Sequence, residues 1–220
     1  MTVQQPTKIK VCGLTRAEDV RECLRLGVEF IGVNFYPGSS RHVSLELAEM
    51  LTATMREEGK GQPDAHPTRL VAVLVNPDPR FVNEVIARAQ PDVLQFHGEE
   101  DRPFCEQFHH PFIKAFRTRD VSVTGEIDTF MGEHPLPCLV DAWSPDQHGG
   151  TGATIDLPVA KAVLQCHEGF LAGGLTPQNV GHAIREIRPY GVDVASGVES
   201  SPGIKSGQLM REFVDSVRHA

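Results

Sequence analysis

Short apolar runs recur along this chain, and each gives way to a polar stretch whose remaining apolar residues fall at helical spacing. The runs at 9–11, 28–35, 70–75, 93–96, 112–116, 137–140, 169–172 and 192–195 each have the length of one buried strand. The stretches between them predict helices at 15–26, 44–57, 76–89, up to 108, 125–131, 157–166, 176–187 and 206–218. Start signals support several of these. Thr15 with Glu18 three residues on reads as a capping box, Ser44 as a cap, and Pro177 as a first-turn proline. The segment 58–68, with its Gly, Pro, Asp and His, reads as a surface loop, and 118–134 is the least legible part of the chain.

The strands are too short and too uniformly apolar for a half-exposed antiparallel sheet. Alternation of strand and helix then predicts parallel strands joined by helical crossovers. Eight such units over residues 1–220 close best as one domain, a single α/β (β/α)8 TIM barrel. A doubly wound open sheet is the alternative. In a barrel every strand's carboxyl end opens on one face, which gathers Cys12, Asn34, Asn76, Gln95, Asp141, Gly173 and Ser196.

Composition narrows the class of partner. A net charge of -8 leaves no basic stripe for nucleic acid, though backbone amides can still bind a phosphate in an acidic protein. Cys12, Cys23, Cys105, Cys138 and Cys166 are odd in number and scattered, with no Cys-x-x-Cys pair, so neither a disulfide framework nor a zinc site is expected. A reducing cytoplasm fits best. Residues 1–8 are polar and contain Pro6, unlike a signal peptide, and no apolar run approaches the roughly 18 residues that span a bilayer, so no membrane partner is expected.

On the expected active face, Asp141 ends an apolar strand, and Gly149, Gly150 and Gly152 follow in a loop able to wrap a ligand. The alternative there is a plain surface turn. Gly173-Gly174 and Ser196-Gly197 place small residues at two adjacent strand exits, where barrels present amides to phosphate near the positive end of a short helix. Either pair alone reads as a tight turn; together they favour phosphate. Arg41, in the loop after the second strand, can hold a carboxylate bidentately or be a solvated surface residue. Cys12 and Asp141 can face each other across the mouth as an acid/base pair, although a buried structural thiol is the commoner fate of cysteine.

Six motifs carry a resemblance. Lys10-Val11-Cys12-Gly13-Leu14-Thr15, Gly32 to Pro37 with Ser40-Arg41, Gln95-Phe96-His97-Gly98, Gly149-Gly150-Thr151-Gly152, Ala172-Gly173-Gly174-Leu175 and Asp193 to Glu199 run in the order found in phosphoribosylanthranilate isomerases of tryptophan biosynthesis. The resemblance spans nearly the whole chain; its Lys-x-Cys-Gly-x-Thr opening is specific, while the Gly-Gly-Leu and Ser-Gly motifs occur in many phosphate-binding barrels. It implies an Amadori rearrangement of a small phosphorylated substrate without metal or organic cofactor, by a monomer or homodimer. Asp141 matches the general acid, Cys12 the general base and Arg41 the holder of the anthranilate carboxylate. Gly173, Gly174, Ser196 and Gly197 take the phosphate. The sequence departs from the common pattern at Thr154-Ile155-Asp156-Leu157 and at Phe96, neither of them a catalytic position.

Three rivals remain. The histidine-pathway aminoaldose isomerases resemble this pattern but use Asp where Cys12 stands. A non-catalytic phosphometabolite-binding barrel would need no proton donor and acceptor. A lyase of the indole-glycerol-phosphate synthase kind would want a catalytic lysine. Lys10 and Lys114 are the candidates, and Lys10 is expected to turn away from the face beside Cys12.

Overall fold

A computed structural model describes residues 6–60, 68–118, 122–132, 137–142 and 157–220. The glycine loop 149–152, most of the surface loop 58–68 and the departure at 154–156 lie outside the described residues. Eight parallel strands close into a barrel in chain order, β1 (Lys8–Cys12), β2 (Phe30–Asn34), β3 (Arg69–Leu74), β4 (Val93–Phe96), β5 (Phe112–Thr118), β6 (Cys138–Ala142), β7 (Gly169–Leu171) and β8 (Gly191–Val194), with β8 paired back to β1. The open-sheet alternative is thereby excluded.

The helices are α1 (Ala17–Arg25), α2 (Leu45–Gly59), α3 (Pro79–Ala89), α4 (Arg102–Glu106), α5 (Val123–Met131), α6 (Leu157–Leu164), α7 (Val180–Ile187) and α8 (Gly207–Arg218). Each turns one apolar stripe to the sheet. In α7 it is Val180, Ala183, Ile184 and Ile187, and in α8 Met210, Phe213, Val214 and Val217. Each such Val, Ile or Phe contributes about 2 kcal/mol over an exposed one, so burial rather than propensity holds these short helices. None of the described helices is long and apolar enough to cross a membrane.

Two apolar cores result. The larger lies between strands and helices. The smaller, made of Phe30, Val71, Val93, Ile113, Ala115, Leu139, Phe170 and Ala172, fills the barrel interior. Alternation in a strand explains the split, since residues two apart share a face and neighbours oppose. Above this inner core the interior positions turn polar, and there the site is built.

Caps match expectation at Ser44, which accepts from the Leu47 amide at 3.2 Å, and Asp78 and Asp101 cap α3 and α4 in the same way. Two starts differ. Thr15 caps nothing; its hydroxyl donates to the Gly203 carbonyl at 2.5 Å, and Arg16 occupies the cap position of α1. The helix expected at 176 begins at Val180, because the Asn179 side chain bonds back to the Thr176 amide (2.8 Å) and the Gly174 carbonyl (2.9 Å) and holds 176–179 as a turn. After β8 comes a single 3-10 turn (Ser196–Val198), then a hairpin, β9 (Glu199–Ser201) and β10 (Ile204–Lys205), that the apolar pattern did not announce.

Candidate active site

Cys12 is the last residue of β1 and lies opposite Gly32 of β2. A β-carbon at Gly32 would stand 2.9 Å from the thiol sulfur, so the glycine keeps room for that group. Lys10 lies two residues earlier on the same inward face, and the expectation that it turns away from Cys12 is wrong for that reason. Its ammonium, fully buried, bonds Asp193 of β8 at 2.8 Å. Burial pulls Lys10 down, but Asp193 and the neighbouring thiol outweigh it and hold the ammonium above its ordinary value.

Burial, with Asp193 behind it, holds the Cys12 thiol above its ordinary value, and Lys10 and Lys205 oppose that rise without cancelling it. Among the described residues, Cys23, Cys105 and Cys138 are also buried, and burial pushes each to about 12. Only Cys12 of these four has a lysine close enough to stabilise its anion by a hydrogen bond as well as by charge.

Arg41 is buried, not solvated. Its stem lies directly over Gly13 at the exit of β1, where a β-carbon would strike the arginine Cδ. Its Nε and Nη2 donate to the two carboxylate oxygens of Glu199 at 2.7 and 2.6 Å. Glu199 also accepts from Lys205 at 2.8 Å, and Lys205 donates to the Ala195 carbonyl at 3.0 Å. Burial favours the neutral form of Glu199, but Arg41 and Lys205 override it and hold the carboxyl below its usual range.

Asp141 stands on β6, buried, three strands round the ring from Cys12 by way of β8 and β7. Its Oδ2 is 3.3 Å from Nε2 of His97, a contact not aligned as a hydrogen bond. Nδ1 of His97 lies 3.1 Å from Nε2 of Gln95. Gln95 Oε1 is buried with no partner among the described residues.

At the other side of the mouth Gly173 and Gly174 adopt φ of 93° and 63°, the left-handed region that favours glycine. Gly197 packs so closely on the Leu175 carbonyl that a β-carbon there would overlap it. The exits of β7 and β8 are thus packed together, with Gly197 against Leu175 and Thr176. Two strand-end residues do not join the mouth. Asn34 accepts from the Tyr36 amide and donates to Ser39, bracing its own loop. Asn76 accepts from the Glu99 amide and ties the β3 exit to the β4 exit.

Comparison with known proteins decides what this rim belongs to. Residues 9–216 match the family model described as N-(5'phosphoribosyl)anthranilate (PRA) isomerase. The chain belongs to that family. It is 39% identical over 211 residues to the N-(5'-phosphoribosyl)anthranilate isomerase of Legionella pneumophila (strain Paris), covering 96% of each. With that of Geobacter sulfurreducens it shares 38% over 207 residues, 94% of this chain and 96% of the other. The phosphoribosylanthranilate isomerase of Thermotoga maritima superposes with a TM-score of 0.84 at 28% identity, over 97% of this chain and 100% of that one. A further isomerase structure, in complex with reduced 1-(o-carboxyphenylamino)-1-deoxyribulose 5-phosphate, superposes at 0.78 with 27% identity, again over 97% and 100%.

Within this isomerase, then, the sequence located the rim but not all its members. His97 and Glu199 lie inside the motifs without a role, and Gln95 is placed on the face but given none. Lys205 carried no signal, because its place depends on the hairpin folding back beside β1.

Proposed function

We propose that the isomerase carries out its Amadori rearrangement of N-(5'-phosphoribosyl)anthranilate with Asp141 as general acid and Cys12 as general base. Asp141 gives its proton to the furanose ring oxygen as the C1′–O bond breaks, and the anthranilate nitrogen's lone pair closes the Schiff base. Cys12, as thiolate, then takes the C2′ proton, and those electrons quench the iminium to leave an enolamine. Tautomerisation of the enolamine gives the ketone, 1-(2-carboxyphenylamino)-1-deoxyribulose 5-phosphate. The observation that carries this reading is the pairing of a buried carboxyl and a buried, lysine-flanked thiol on one barrel rim.

Arg41 is the proposed seat of the anthranilate carboxylate, offering the Nη1 side of the fork that Glu199 leaves open. Backbone amides of Gly173, Gly174, Ser196 and Gly197 are the proposed seat of the phosphate, supported by the left-handed glycines and the close packing of the two exits. The proposed compartment is the cytoplasm and the proposed assembly a monomer or homodimer; the Thermotoga relative is described as dimeric.

A structure of this protein with the reduced product analogue tests the assignment. The expected pose has the carboxylate within hydrogen-bonding reach of Arg41, the phosphate between the β7 and β8 exits, and C2′ beside the Cys12 sulfur. A pose with the carboxylate on the glycines contradicts it.

A further inference from the structure

The proposed function gives no work to Glu199, although it is one of the best-tied carboxylates in the mouth. It holds both ends of the Arg41 fork edge, at 2.7 and 2.6 Å, and takes the Lys205 ammonium at 2.8 Å. All three side chains are 10% exposed or less. The cluster contains two cations and one anion, so it carries one positive charge inside a protein whose net charge is -8.

From this geometry we infer that Glu199 is a positioning residue: it fixes the Arg41 guanidinium so that the unused Nη1 side is presented to an arylamine substrate bearing an ortho carboxylate. The inference deepens the proposed function and rests on Arg41 being the carboxylate seat. A free arginine would have to surrender rotamer entropy on binding; one already held at Nε, at Nη2 and along its stem has none left to lose. Lys205 has the supporting part. It anchors the carboxylate from behind, while its own backbone amide is tied to Asp19 at 3.3 Å and the hairpin is tied to Thr15 through Gly203. The same contacts also allow the opposite effect, in which Glu199 competes with the substrate for Arg41, and affinity tells the two apart.

The probes are two reduced product analogues, 1-(2-carboxyphenylamino)-1-deoxyribitol 5-phosphate and its counterpart lacking the carboxyl group. Their Kd values are measured by calorimetry, which needs no turnover. Glu199→Gln should weaken the carboxylated analogue by roughly tenfold while leaving the other within about twofold, since only the former meets the fork. Because that change leaves the Lys205 ammonium buried without its anion, Glu199→Gln/Lys205→Met is measured as well, and its thermal midpoint checks folding. The same selective loss is expected there. Equal weakening of both analogues in these variants makes Glu199 merely structural and overturns the inference, as does unchanged or tighter binding of the carboxylated one. Arg41→Ala, measured alongside, should erase the preference for the carboxylated analogue. If that preference survives Arg41→Ala, the carboxylate seat itself is misassigned; if it is lost there but kept in the Glu199 variants, only the positioning role falls.

Discussion

The two sides of the barrel mouth are built from different material. Around Cys12, strands β1 and β8, the loop after β2 and the β9–β10 hairpin supply Lys10, Asp193, Arg41, Glu199 and Lys205, joined by short ion pairs and almost wholly buried. Around Asp141 the contacts are of another kind: its Oδ2 lies 3.3 Å from Nε2 of His97, whose Nδ1 meets Gln95, and its backbone carbonyl accepts from the Thr118 hydroxyl at 3.0 Å. Arg117, opposite Asp141 in the register, spends its guanidinium on Glu99 at 2.7 Å. A base must lose its proton; burial and Asp193 hold the Cys12 thiol above its ordinary value, and Lys10 and Lys205 limit that rise. The proposed roles need these two groups to be in opposite protonation states at one pH, and the ion-pair network lies at the side of the proposed base.

The comparison can be broken from either side. The largest effect is expected at Asp141. Asp141→Asn keeps the shape and removes the transferable proton, so kcat should fall by roughly 10²-fold or more with KM little changed. Steady-state kinetics check this, and a fall in KM equal to that in kcat would point to relieved strain instead of lost acid catalysis.

Next comes the charged side. Lys10→Met removes one of the two cations that oppose the effect of burial on Cys12, so the thiol should titrate at still higher pH than in the parent. The pH profile of Cys12 alkylation by iodoacetamide should move to the alkaline side, and kcat near neutral pH should fall by roughly tenfold for each unit of that movement. The change also leaves Asp193 buried without its partner, so Lys10→Met/Asp193→Leu serves as the folded control. An alkylation profile identical to the parent's would mean that the thiol does not feel Lys10.

A smaller effect is expected at the proposed phosphate seat. Gly174→Val puts a β-branched residue at φ 63° and obstructs the approach of a ligand to the backbone, so KM should rise by roughly tenfold with a lesser change in kcat. Unchanged KM, read from the same kinetics, would move the phosphate elsewhere.

Much of this architecture was legible because burial on both faces leaves a simple mark. All eight strands of the barrel stand where an apolar run stands, from Ile9 to Val194, since a strand covered by helices outside and packed inside has few polar positions to alternate. The rim was legible for the related reason that a strand end is where such a run stops. The partnerships on the rim were not. Glu199 meets Arg41 across 158 residues of sequence, and the meeting depends on a two-stranded hairpin with no periodic signature of its own. Thr15 reads as a cap until Gly203 is brought beside it by that same hairpin. Lys10 was misplaced by a slip in strand parity, not by missing information: two residues before Cys12 is the same face.

The most direct measurement is turnover of N-(5'-phosphoribosyl)anthranilate, generated in situ and followed by loss of anthranilate fluorescence, by Cys12→Ser beside Cys23→Ser, Cys105→Ser, Cys138→Ser and Cys166→Ser. A hydroxyl is a far weaker base than a thiolate, so kcat of Cys12→Ser should fall by roughly 10²-fold or more while the other four stay near the parent. Equal, modest losses at all five, or a Cys12→Ser enzyme working at the parental rate, would contradict the account of this rim as an acid on one side and a lysine-supported base on the other.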